Sequence, residues 1–290
     1  DFNALNTDVT QPLTNRAEYQ SVEIGSLFTI VTAAAAIENN LSDFNIPTTS
    51  SFPARSNFPV ITNSDGDECG GTIKSLMISS CRSGWATIGA EIGHGPLEAV
   101  TKRFGLLGDD PVRSENALPG AVRPTGLVSS VPHAAVGTSM KLTPLQVANL
   151  FATISNGGSQ MQPRLVNRVR AHDGSVIHNF EPRVVNQSVS KETAAELLGL
   201  LSENVKNGNA AGLELSDVSM GGLLAASFSE SNHLWMVALA PVTRPEVIVA
   251  VLLEGDDFDD RQTAEASITG ISRRITEAVL RLPSPTLGGS

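Results

Sequence analysis

Apolar positions fall into blocks whose spacing changes along the chain. Leu27 to Asn39 is apolar on almost every face, through Leu27, Phe28, Ile30, Val31 and Ala33–Ala36. That pattern predicts a helix buried on most sides, ended by Asn39-Asn40. Residues 1–22 are polar and turn-rich, and 41–71 carry Pro47, Pro53 and Pro59 among many Ser, Thr and Asn, so both read as irregular. Helical spacing returns over 73–80, 84–92 and 96–104, with Leu97, Val100 and Phe104 on one face, before a Gly- and Pro-containing loop over 105–132. Thr143-Pro144 is a helix start, Thr as N-cap and Pro at the first helical position, and Gly157-Gly158 stops that helix. Asp173-Gly174 sits between two short alternating runs, 165–170 and 175–180, and predicts a hairpin. A further helix spans 191–205, capped by Ser190. Three apolar runs follow, 218–228, 234–242 and 247–254, and read as an antiparallel meander closed by a helix over 263–280. Helices, then a meander, then one helix define an α+β class.

Composition narrows the function. An apolar fraction of 41% supports a sizeable core, and 17% charged residues exclude a disordered chain. The net charge of −10 argues against nucleic acid and anionic lipid, which call for clustered Lys and Arg. The longest apolar runs are far short of the roughly 20 residues that cross a bilayer. No basic stretch precedes an apolar run near residue 1, so any targeting or anchoring segment is expected upstream. Cys69 and Cys81, twelve positions apart, lack zinc-site spacing. A disulfide and two buried thiols both remain open.

Four blocks carry a family resemblance. Leu13-Thr14-Asn15-Arg16-Ala17 is followed by Ile24-Gly25-Ser26-Leu27-Phe28-Thr29-Ile30-Val31-Thr32-Ala33. Cys69-Gly70-Gly71 leads into Leu76–Trp85. Leu142-Thr143-Pro144-Leu145-Gln146-Val147-Ala148 precedes Asn156-Gly157-Gly158, and His233-Leu234-Trp235-Met236-Val237-Ala238-Leu239-Ala240-Pro241 closes the series. In this order the blocks resemble the transpeptidase domain of penicillin-binding proteins, nearest to the class B, divisome-type proteins of actinobacteria. The resemblance implies a penicillin-binding transpeptidase or serine β-lactamase-like fold, an antiparallel sheet flanked by helices with an all-helical subdomain. It implies one domain over 1–290, with the helical subdomain at about 40–160 and the sheet with its C-terminal helix at about 161–281. The family's sheet has two strands ahead of the first block, where only twelve residues stand here, so the sheet is expected to lack them.

The family's acyl transfer uses Ser-x-x-Lys, Ser-x-Asn and Lys-Thr-Gly. A Lys three residues after the Ser lies one turn on, on the same helix face, where it can take the serine proton. Here the serine is Ser26 but the lysine position is Thr29, whose hydroxyl cannot act as a base near neutral pH. Ser26 then reads as a helix-start residue whose hydroxyl helps cap the backbone. The second motif aligns to Ser80-Cys81-Arg82, placing a guanidinium, which only donates, where an amide would donate and accept. Arg82 reads as a surface arginine, with carboxylate binding as the sharper alternative. The third motif falls at Leu223-Leu224-Ala225, and no Lys or Arg occurs from 207 to 243 in any register.

No other chemistry is evident. The five His match no nucleophile pattern, and the acidic run Glu254 to Asp260 around Phe258 lacks the spacing of a calcium loop and reads as solvated. No cofactor and no metal are expected. The resulting expectation is a catalytically inactive pseudo-transpeptidase, a scaffold or regulator in peptidoglycan synthesis and cell division. It would be extracytoplasmic, anchored to the membrane only through an N-terminal segment, with cell-wall or divisome proteins as partners. The alternatives are a slow D,D-transpeptidase acting through Ser26, with Lys74 or Lys141 as the nearest bases in sequence, and a non-covalent module for a peptidoglycan stem peptide.

Overall fold

In the computed structural model, residues 2–9, 11–54, 58–107, 130–138, 140–227, 233–255 and 260–282 are described. Most of the loop expected over 105–132, residues 256–259 of the acidic run, and the tail from 283 lie outside them. Two short helices, α1 (Phe2–Asn6) and α2 (Arg16–Tyr19), stand in the stretch read as loop and bury no side chain. After β1 (Val22–Glu23), a 3-10 turn over Gly25–Phe28 runs directly into α3 (Thr29–Glu38). The connection read as irregular contains β2 (Ile46–Thr49), β3 (Ser51–Phe52), β4 (Ile61–Thr62) and β5 (Cys69–Gly71), paired antiparallel as β2 with β5 and β3 with β4. Such two- to four-residue strands leave no period-2 signal, because their partners rather than their own composition fix them.

Helices α4 (Ile73–Ile78), α5 (Arg82–Ile92), α6 (His94–Arg103) and α7 (Val131–Ala135) come next, α7 overlapping the end of the expected loop with Pro at its start. Then follow β6 (Lys141–Leu142), which pairs with β1, and α8 (Pro144–Ser155). The start of α8 is a complete capping box: Gln146 N donates to Thr143 Oγ1 at 3.2 Å and Thr143 N donates to Gln146 Oε1 at 2.9 Å. Beyond it lie β7 (Ser159–Met161), the hairpin β8 (Arg168–Arg170) and β9 (Val176–Asn179), β10 (Val184–Gln187) and α9 (Lys191–Asn207). The meander is β11 (Gly221–Ser227), β12 (His233–Ala240) and β13 (Val247–Glu254), antiparallel in the order 11-12-13, and α10 (Arg261–Leu280) closes the described chain.

Every residue of β12 is buried, which fits a central strand covered on both faces. Alternation splits its side chains between two cores. Trp235, Val237 and Leu239 face the large helical side, built on α3, α5, α8 and α9. Leu234, Met236, Ala238 and Ala240 face Ala264 and Ile268 of α10. The indole of Trp235 donates from Nε1 to the Glu23 carbonyl at 3.0 Å, tying the sheet to β1 just before Ser26. Thr32 Oγ1 donates to the Ala135 carbonyl at 2.8 Å and fixes α3 against α7.

Candidate functional site

The three motif positions converge although they lie in distant parts of the sequence. Ser26, Ser80, Arg82, Leu224 and Ala225 line one cleft of about 390 Å³, between the 3-10 turn, the start of α5 and the outer strand β11. Glu23, Asn209, Arg261 and Glu265 supply most of its other polar wall.

Ser26 reaches the cleft because two glycines allow a close crossing. Gly25 has φ 50, and Gly137 has φ +82, where an added Cβ would stand 1.8 Å from the Gly25 carbonyl oxygen. The expected capping role for Ser26 is not what forms. Ile24 is the N-cap of the 3-10 turn and Phe28 that of α3, neither with a side-chain cap bond. Because the chain enters α3 through a continuous 3-10 turn, Ser26 already lies inside helical backbone, and it lines the cleft. Thr29 is buried, and its Oγ1 donates to the Ser26 carbonyl at 2.7 Å, so the residue at the lysine position is spent on its own turn.

Ser80 closes α4 with φ 52, a left-handed conformation that costs a non-glycine residue about 1–2 kcal/mol. The next residue, Cys81, is bonded to Cys69 across a separation of 12. Arg82 is the first residue of α5. It is exposed, as a surface arginine would be, and it also lines the cleft. Burial lowers its pKa from the ordinary guanidinium value, and the charge of Glu23 works in the opposite direction. Arg82 Nη1 also lies 3.4 Å from the Thr62 carbonyl. Arg261 bonds Glu265 at 2.7 Å, one turn on along α10, so two guanidinium groups and two carboxylates share the wall.

Leu223, Leu224 and Ala225 are 3%, 5% and 2% exposed, part of the apolar body of the sheet. Lys74, nearest in sequence to the second motif, pairs with Glu203 at 2.9 Å, and neither it nor Lys141 lines the cleft. Of the histidines, His233 begins β12 and lies 3.7 Å from Glu254, and His94 pairs with Glu98 at 3.2 Å. His133 is buried against Phe58, ring centroids 5.1 Å apart, and desolvation lowers its pKa first, with Arg82 adding to that and the Pro59 carbonyl opposing it. Among the described residues no group of three or more His, Cys, Asp or Glu is placed to hold a metal.

Sequence reading missed Asn209, Glu23, Arg261 and Glu265. Asn209 follows Gly208 and reads only as the end of a helix. Its contact with Ser80 spans 129 positions, and no local pattern encodes that.

This fold and the convergence of the motif positions define a class. The family model of the penicillin binding protein transpeptidase domain matches residues 1–277, and the chain belongs to that family. It is similar to the peptidoglycan D,D-transpeptidase PbpA of Mycolicibacterium smegmatis, 31% identical over 96% of this chain, and to that of Mycobacterium tuberculosis, 28% identical over the same share. The chain spans 59% of the length of these relatives. Penicillin-binding protein A of M. tuberculosis, solved as an imipenem acyl-enzyme complex, superposes with a TM-score of 0.84 at 27% identity, covering 97% of this chain and 65% of that one.

Proposed function

We propose that this domain is a non-acylating member of its family, a scaffold or regulator in peptidoglycan synthesis. The observation that carries the reading is the surrounding of Ser26. Thr29 stands where the activating amine would be and bonds back to the Ser26 carbonyl, and the cleft wall includes no lysine among the described residues. A serine without a base is a weak nucleophile, and losing one member of such a unit costs orders of magnitude in rate. Guanidinium groups do not replace the amine, because arginine stays protonated. On β11 the leucine and alanine side chains leave no cation to hold a substrate carboxylate.

The relatives' names place them in peptidoglycan synthesis, and for this chain we extend that to an extracytoplasmic position beside cell-wall or divisome proteins, in an actinobacterium, with anchoring outside the described domain. The Cys69–Cys81 bond supports an oxidising compartment. The test is labelling with a fluorescent penicillin followed by intact-mass measurement. The expected outcome is no adduct; stoichiometric mass on Ser26, lost in Ser26→Ala, would establish the slow transpeptidase instead.

The non-covalent reading has its own support. The cleft has not collapsed, and it keeps Ser26, Ser80, Arg82 and Arg261 as polar wall groups able to meet a peptide.

A further inference from the structure

Ser26 has no base beside it, but a second serine does. Ser130 Oγ lies 2.7 Å from His133 Nδ1, three residues on. Ser130 is the N-cap residue of α7, a place where a serine hydroxyl ordinarily accepts a backbone N–H. Here it makes no such cap bond. Its hydroxyl partners the imidazole instead of the helix end.

The pair sits on an element that packing holds in place. Gly89 of α5 lets α7 approach closely, since an added Cβ there would stand 2.4 Å from Ala135 Cβ. Thr32 Oγ1 grips the Ala135 carbonyl from the other helix, α3. His133 is 7% exposed and its ring packs on Phe58, whereas Ser130 is half-buried. The base is thus sheltered while the residue carrying the hydroxyl stays within reach of solvent.

Ser130 and His133 both line a cavity of about 220 Å³, which shares no described lining residue with the cleft of Ser26 and Ser80. Its other described walls are Phe52, Pro53, Ala90, Gly93, Val131 and Pro132. None of them is charged, so the space suits an apolar group of a few carbons and penalises an ionised one. Burial lowers the His133 pKa, which keeps the ring neutral near pH 7. A neutral imidazole that accepts at Nδ1 can take up the serine proton. The Pro59 carbonyl favours the protonated ring, the state this transfer produces, and Arg82 opposes it.

We propose that Ser130 and His133 form a second nucleophilic site, which accepts the acyl group of a small apolar ester. Ser130 Oγ bonds to the ester carbonyl carbon while His133 Nδ1 takes the hydroxyl proton. The bond to the alkoxy oxygen breaks, and that oxygen leaves as the alcohol with the proton from His133. Water then attacks acyl-Ser130 by the same route and releases the carboxylic acid. A serine with an adjacent base is the arrangement that makes a hydroxyl nucleophilic. The inference goes beyond the non-acylating reading of the cleft, because it concerns another serine in another cavity.

The probe is diethyl p-nitrophenyl phosphate, an ester mimic that leaves a stable diethylphosphoryl group on serine and releases p-nitrophenolate. Incubated with the 290-residue chain, it is expected to give one adduct, mapped by peptide fragmentation to Ser130, at the same rate in Ser26→Ala. Ser130→Ala should abolish it, and His133→Gln should slow it about a hundredfold, the scale of a lost general base. The wild-type rate should fall with pH along one titration centred below the ordinary histidine value of about 6.5. No adduct on Ser130 in folded wild type would overturn the site, as would an unchanged rate in His133→Gln of native Tm. Where His133→Gln does not fold, the wild-type profile decides, and a rate without that titration overturns the role of His133. A benzylpenicillin adduct on Ser26 would overturn the non-acylating reading alone, since the Ser130 adduct is read at its own residue.

Discussion

Thr29 and Asn209 make two different kinds of contact near the cleft residues Ser26 and Ser80. Thr29 closes a local bond three residues back, whereas Asn209 joins α9's far end to both Ser80 and β11. Asn204 underlies the second arrangement. It is fully buried and donates to Gly222 O and to Asn209, so Asn204→Ala leaves the Gly222 carbonyl without that donor inside the protein. Orphaning a buried polar group costs about 1–3 kcal/mol. Asn204→Ala is therefore expected to lower the denaturation midpoint in urea by that amount of stability, and the exposed Asn209→Ala by less. Equal losses would show that the two positions share one structural role. At this scale the sequence placed Arg82 on the surface, where it is exposed, but it made Ser26 a cap, and no side-chain cap bond forms there. The chain enters α3 through a 3-10 turn that begins at Gly25, so Ser26 stands inside helical backbone rather than at an N-cap.

Elements with their own boundary chemistry were legible. The Thr143 capping box and the Ser190 N-cap, whose Oγ accepts from Thr193 N at 3.0 Å, form where expected. So does the hairpin at Asp173-Gly174, where Asp173 Oδ1 accepts from Ser175 N at 2.9 Å. The final helix begins slightly earlier than its spacing suggested, at Arg261, because Asp260 accepts from the N–H groups of Gln262 and Thr263 at 3.2 and 3.0 Å. The Thr263 hydroxyl, then those backbone N–H groups, hold the Asp260 carboxyl below its ordinary pKa. A carboxyl depressed by folding adds stability above its unfolded pKa, about 3.9, and loses that contribution as pH falls through the folded value. The Tm difference between wild type and Asp260→Ala should accordingly be full near pH 7 and shrink below about pH 4. A difference independent of pH would mean that the cap acts without its charge. Short strands β2 to β5 and helix α7 were not legible, since pairing partners 9 to 25 positions away fix the former and packing against α5 the latter.

For the whole molecule, the Cys69–Cys81 bond fastens β5 to the turn that carries Ser80 into the cleft. A bond closing a loop of this size restricts the unfolded chain by about 3 kcal/mol. Reduction, or Cys69→Ala with Cys81→Ala, is expected to lower stability by that order and to broaden the Ser80 and Arg82 resonances while β12 keeps its hydrogen-exchange protection. Unchanged resonances would show that α4 and α5 hold the cleft wall alone.

The sequence by itself determined the α+β class, the three-run meander with its closing helix, and the absence of a lysine at position 29 and along β11. Each of these follows from residue type and short-range periodicity, which a linear chain carries openly. Tertiary structure alone decided that Ser26, Ser80 and β11 share one cleft, that Arg82 lines it, and that Asn209 bridges it. Those are contacts between distant positions, 129 apart for Ser80 and Asn209 and farther still for Ser26 and β11, selected by the packing of two cores on opposite faces of β12.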